Sequence, residues 1–181
     1  MKLRLAFLFA LCAASTCSAL LWIVPSRFSA GGGAETMFAS QQTTNDYFYV
    51  NNGTSQWQKI KNSTARNISK VTLLIGTGGG PRLSHIEIWS DSARAGTKYG
   101  ASSGSVGITQ NGGGIGGDYY DYTWSGTKPN PTGDFYLHVL NDDTGGDLYW
   151  TMQSGDPYET GNGYSNSYGG GWDYWFKIFS L

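Results

Sequence analysis

From Asp147 to Phe179 the chain sets aromatic residues between glycines. It runs Asp147-Leu148-Tyr149-Trp150, then Asp156-Pro157-Tyr158, Gly161, Gly163-Tyr164, and Gly169-Gly170-Gly171-Trp172-Asp173-Tyr174-Trp175-Phe176-Lys177-Ile178-Phe179. Glycine and proline both disfavour a helix, whereas aromatic side chains suit a pleated surface, so the stretch reads as short strands joined by tight turns. The rest of the chain agrees: 27 of 181 residues are glycine and 15% are aromatic, against a usual glycine content of ~7%. That is an all-β composition, and the length suits one domain with a proper core.

The N-terminus carries Lys2 and Arg4, an apolar run from Leu5 to about Ala14, and the small residues Ser15-Thr16-Cys17-Ser18-Ala19. These are the three parts of a secretory signal peptide, residues 1–19, cleaved after Ala19. Apolar character resumes through Leu20-Leu21-Trp22-Ile23-Val24, so residues 5–24 also fit an uncleaved membrane anchor of about 20 residues. Either way the positive flank stays inside and everything after Pro25 is exported, to the cell surface or beyond. Both cysteines, Cys12 and Cys17, lie in this leader, so the exported part has no disulfide and must be held by its core, or by its core and a metal.

Residues 20–44 read as a flexible linker, small and polar from Ala30 to Thr44 with Gly31-Gly32-Gly33, and residues 45–181 as the folded domain. Within that domain β-favouring runs alternate with turn signals: Tyr47 to Val50, Trp57 to Ile60, Lys70 to Ile75, Ser84 to Ser90 and Gly104 to Thr109. Tyr119 to Trp124, Phe135 to Leu140, Leu148 to Gln153 and Trp172 to Phe179 complete the series. Such a series without helical period predicts a β-sandwich of about eight to ten antiparallel strands, a jelly roll. Alternation places Val71, Leu73 and Ile75, Ile86 and Ile88, and Phe135, Leu137 and Val139 in the core. His85, Glu87, Trp89, Tyr136 and His138 fall on the opposite sides.

The order of these elements resembles the jelly-roll modules of bacterial secreted and surface-anchored proteins, of the choice-of-anchor kind, which are broadly similar to carbohydrate-binding modules. The residues that carry the likeness are Ile86-Glu87-Ile88-Trp89-Ser90-Asp91, Pro131-Thr132-Gly133-Asp134-Phe135-Tyr136-Leu137, Trp150, Asp156-Pro157-Tyr158, Gly163-Tyr164, Gly171-Trp172 and Phe176-Lys177-Ile178. It spans Gln41 to Leu181. Ala95-Gly96 departs from it, since relatives often carry Pro-Gly there.

Several chemistries find no support in the residues. Gly112 to Gly117 satisfies a dinucleotide-binding pattern of glycines, but Asp118-Tyr119-Tyr120-Asp121-Tyr122 is no helix start to receive a phosphate. His85 and His138 sit on separate strands, with no cysteine to complete a zinc set. No Gly-x-Ser-x-Gly elbow precedes a helix, and the glutamates Glu87 and Glu159 do not select a glycosidase pair. Basic residues around Trp57 to Lys70 do not make a nucleic-acid surface on an exported chain of net charge −1. Asn52-Gly53-Thr54, Asn62-Ser63-Thr64 and Asn67-Ile68-Ser69 are sequons.

Two features remain. Asn141-Asp142-Asp143-Thr144-Gly145-Gly146-Asp147 is either an ordinary turn or a calcium loop with Asp142, Asp143 and Asp147 as ligands. The aromatics are the other: Tyr120, Tyr122 and Trp124 share one strand face and Tyr119 with Asp121 the other. Sugars offer apolar C–H faces to flat rings, so the expected function is non-enzymatic glycan binding or adhesion, with Trp89, Tyr119, Tyr158, Tyr164 and Tyr168 as stacking residues. The partners would be glycans or a cell-surface polymer, not nucleic acid, and a membrane only through an uncleaved anchor. The alternative is a self-associating structural subunit of an extracellular fibre or surface layer. That reading draws on the basic stretch Trp57 to Lys98, the acidic stretch Asp118 to Asp173 and the Ala30 to Thr44 arm.

Overall fold

The computed structural model of the protein describes residues 34–51, 55–109, 117–155, 163–165 and 168–181. The leader, on which the signal-peptide and anchor expectations fall, lies outside them. Among the described residues thirteen strands run in chain order: β1 (Thr36–Gln41), β2 (Asp46–Val50), β3 (Ser55–Ile60), β4 (Ile68–Gly78), β5 (Arg82–Trp89), β6 (Lys98–Ala101) and β7 (Val106–Ile108). They continue as β8 (Asp118–Thr123), β9 (Phe135–Asn141), β10 (Asp147–Ser154), β11 (Gly163–Ser165), β12 (Tyr168–Tyr174) and β13 (Phe176–Ser180). Two antiparallel layers pack face to face, the sandwich expected from the sequence.

The first layer is built on β4, whose eleven residues pair with β8 along one edge and with two strands in turn along the other. β13 takes Ile68 to Leu73 and carries β1 beyond it, whereas β10 takes Ile75 to Gly78 and carries β2. The second layer is β3-β9-β5, with β6 and β7 on the far edge of β5. Between layers, β12 pairs with both β10 and β11, and β11 with β3, so hydrogen bonding is continuous from one layer to the other.

Side-chain alternation decides which face is buried. Val71, Leu73, Ile75, Ile86, Ile88, Phe135, Leu137 and Val139 are all fully buried, as expected, each contributing roughly 1.5–3 kcal/mol of hydrophobic stabilisation. Tyr122 and Trp124 point the same way and are core. Trp150 stacks on Tyr174 with centroids 4.1 Å apart, and its indole N–H donates to the Trp175 carbonyl at 2.9 Å.

Three boundaries differ from the sequence reading. Thr36–Gln41, expected within the 20–44 linker, is a strand: Ala39 and Gln41 are buried, Phe38 packs on the core, and β13 supplies the ladder. Trp172 to Phe179 is interrupted at Trp175, whose N–H goes to the Thr151 carbonyl as the chain changes partner from β10 to β4. β6 and β11, four and three residues long, are too short to leave a periodic signal. Of the sequons, Asn67 is exposed, while Asn62 is buried with its amide donated to the Pro131 carbonyl at 2.9 Å.

Candidate ligand-binding face

The outward side of the first layer is aromatic. On β2, Phe48 and Val50 point inward, which turns Tyr47 and Tyr49 out; on β10, inward Leu148 and Trp150 turn Tyr149 out. Strand pairing sets Tyr149 opposite Tyr49 and brings Tyr47 beside both. The three rings meet edge to face at centroid distances of 5.7, 5.0 and 5.0 Å, a favoured geometry for aromatic pairs. Two strands away on β8, Tyr119 points out and lies on Trp175 at 4.9 Å. From β2 through β10 and β4 to β8 are three inter-strand steps, about 14 Å.

Between the two clusters β4 presents Gly76, opposite Tyr149, and Gly78. Neither has a side chain, and Gly76 is buried. The hydroxyl end of Tyr149 occupies the space a Cβ on Gly78 would need. Gly78→Ala should therefore swing Tyr149 off the trio while leaving the fold intact. Near-ultraviolet circular dichroism should change while the thermal midpoint moves by only a few degrees, and an unaltered aromatic spectrum would refute the packing.

Exposure singles out two of these rings: Tyr119 is 61% and Tyr49 42% exposed, and no other aromatic side chain among the described residues is classed with them. The Tyr47 hydrogen bond is the main cause raising the Tyr49 phenol above its usual range; burial, then Asp147, raise Tyr149. Both stay neutral near pH 7, able to donate and to accept. Lys177 stands on the same side, its ammonium 5.2 Å from the Trp175 ring centre and 6.0 Å from that of Tyr119.

The outward side of the second layer has a different chemistry. Glu87, only 10% exposed at its side chain, accepts from the Trp89 indole at 2.8 Å, from Lys98, and from Arg94 at 3.5 Å, with His85 at 3.7 Å. Burial alone would raise its carboxyl, but hydrogen bonds from Lys98 and Trp89 outweigh that and hold it below the usual range. Residues 90–97 fold over this cluster. The Asp91 carboxylate accepts the N–H groups of Ala93, Ala95 and Gly96, the Ala95 bond leading the lowering of its pKa. A Cβ on Gly96 would collide with that carboxylate and with the Ser90 hydroxyl.

The expected site residues are therefore not one site. Trp89 spends its N–H on Glu87 and lies on the second layer's outer face, whereas Tyr119 lies on the first layer's. Tyr158 is outside the described residues, as are the side chains of Tyr164 and Tyr168. Asp142 accepts from Ser105 at 2.5 Å and bonds His85 at 2.5 Å, Asp143 accepts the Leu83 N–H at 2.6 Å, and Asp147 opens β10 opposite Gly78. Among the described residues no group of three or more His, Cys, Asp or Glu is placed to hold a metal ion. In the Ser105–Asp142–His85 chain the carboxylate stands between hydroxyl and imidazole, so His85 is not a base on that serine.

Tyr47, Tyr49, Tyr149, Trp175 and Lys177 were not singled out from sequence. Their alternation with Phe48, Val50, Leu148 and Trp150 was visible, but aromatic residues on both sides of a strand do not announce which side is buried. No protein-family model matches the chain and no curated protein is similar to it.

Proposed function

We propose that the protein is an exported glycan-binding or adhesion module that holds sugars on the face formed by Tyr47, Tyr49, Tyr149, Tyr119 and Trp175. The observation that carries this reading is the pair of exposed rings, Tyr119 and Tyr49, braced from beneath or beside by Trp175, Tyr47 and Tyr149 on a hydrogen-bonded sheet. Rings held by neighbours lose little freedom on binding, which is what makes a rigid aromatic an effective anchor. Neutral phenols and the outward carboxylate of Asp147 supply polar partners for sugar hydroxyls. The alternative, a fibre or surface-layer subunit, draws on a free arm between Ala30 and Thr44, and within it Thr36–Gln41 is already paired to β13.

A glycan array with the wild-type protein, Tyr119→Ala and Tyr49→Ala tests the proposal. Each ring should carry roughly a two- to twelvefold share of affinity, the range of aromatic contacts of ~0.5–1.5 kcal/mol, with unchanged far-ultraviolet spectra. An empty array, or hits indifferent to both substitutions, would defeat it. Light scattering at low and high salt addresses the alternative, which needs association that a monomer under both conditions lacks.

A further inference from the structure

We infer that the glycan held on this face is an acidic one, its carboxylate or sulfate paired with Lys177. The inference rests on the glycan-binding reading above. Lys59 and Lys61 pair with Asp134, Lys70 with Glu35 and Asp121, and Lys98 with Glu87. Lys177 forms no such pair among the described residues and rests instead against the rings of Trp175 and Tyr119. Its neighbours across the strand pairing, Thr72 on β4 and Ser40 on β1, are neutral.

The carboxylates of β8 have their own donors. Asp121 accepts the Thr72 hydroxyl at 2.5 Å and lies 3.6 Å from Lys70, and Asp118 accepts the Tyr119 N–H at 2.7 Å. Lys177 is thus a cation positioned by ring quadrupoles but not neutralised. A sugar lying on Tyr119 brings its substituents to the ring edge, where a charged group completes the pair and a hydroxyl does not. Lysine is a point charge without arginine's planar fork, so it reads the sign of the group and accepts carboxylate or sulfate.

The test compares wild type, Lys177→Gln, Lys177→Arg and Tyr119→Ala in affinity electrophoresis. The polymers are polygalacturonate and polyglucuronate, their methyl-esterified forms, a sulfated galactan and neutral galactan. Acidic polymers should be held roughly fivefold more tightly than their neutral counterparts, near the upper end for one exposed ion pair. That advantage should vanish in Lys177→Gln, persist in Lys177→Arg and shrink at high salt. Tyr119→Ala should weaken acid and ester forms alike. Preference for the sulfated polymer over the uronates, or the reverse, tells which acidic group is read. Equal retention of acid and neutral forms, or a Lys177→Gln variant that holds acidic polymers as wild type does, overturns the inference and leaves the glycan face standing. Retention of no polymer, acidic or neutral, together with an empty array, overturns both.

Discussion

Between pH 7 and pH 5 the protein should lose about 2 kcal/mol of stability through His138 alone, reaching about 3 kcal/mol by pH 4. The side chain is fully buried on β9 beneath the 90–97 loop. Its Nε2 lies 3.3 Å from the Asp91 carbonyl, which can only accept, so Nε2 carries the proton; Nδ1 then accepts from the Ser55 hydroxyl at 3.2 Å. Burial is the main cause that pushes the imidazole down to about 4, with Arg94 adding to it against the opposing pull of Asp91 and Glu87. The unfolded chain takes up a proton near pH 6.5 that the native state refuses until about 4. Stability therefore falls as pH drops through that window and levels off below it. The lowered carboxyls of Glu87, Asp91 and Asp134 act below their unfolded values, at lower pH. Urea midpoints measured from pH 7 to pH 5 should slope for wild type and lie nearly flat for His138→Gln, which keeps a donor for Asp91. A glutamine variant with the wild-type slope would assign the effect to another group.

His138 also shows where sequence reasoning stops. Alternation correctly put it on the side away from Leu137 and Val139, a side that is ordinarily solvated. What buries it is a loop whose shape depends on Asp91 capping three N–H groups and on the absence of a side chain at Gly96. Neither relation has a periodic signature. The core strands β4, β5 and β9 were legible because one face is aliphatic and the other polar. Strand β1 was not, because Ala39, Ser40 and Gln41 have weak intrinsic strand preference and become a strand only against the edge that β13 offers. The acidic turn shows the opposite limit. Asp142 and Asp143 stand in a turn rich in oxygen ligands but without the alternating spacing of an EF-hand loop, and their described partners are His85, Ser105 and the Leu83 backbone, from segments some forty to sixty residues away in sequence. Composition marked an aromatic surface only in outline. The register of β2, β10, β4 and β8 selected its members.

Gln58→Leu should cost about 3–5 kcal/mol and lower the thermal midpoint by roughly 10 °C, at ~2–4 °C per kcal/mol for a domain of this size. Gln58 is fully buried on the inward side of β3, a strand of the second layer. Its Oε1 accepts the Tyr174 N–H at 2.9 Å, and its Nε2 donates to the Asp173 carboxylate at 2.7 Å. Beside it the Tyr174 hydroxyl donates to Gln56 at 3.1 Å, and Gln41 from β1 donates to the Asp173 carbonyl at 3.2 Å. This amide strap ties β3 to β12, the strand that carries hydrogen bonding back to β10 and the first layer. Leucine is close in size and fills the space, so the penalty is polar: a buried N–H loses its acceptor and a buried carboxylate loses one charge-assisted donor. A double-mutant cycle with Asp173→Asn separates this from simple loss of packing. If the strap acts as one unit, the coupling between the two substitutions should exceed about 1 kcal/mol. Additive effects, or a Gln58→Leu variant within 1 kcal/mol of wild type, would mean that apolar burial alone holds the layers together. A loss of the expected size would instead make β3 and β12 the hinge of the sandwich. The aromatic face would then owe its fixed geometry to a polar contact buried between the two layers.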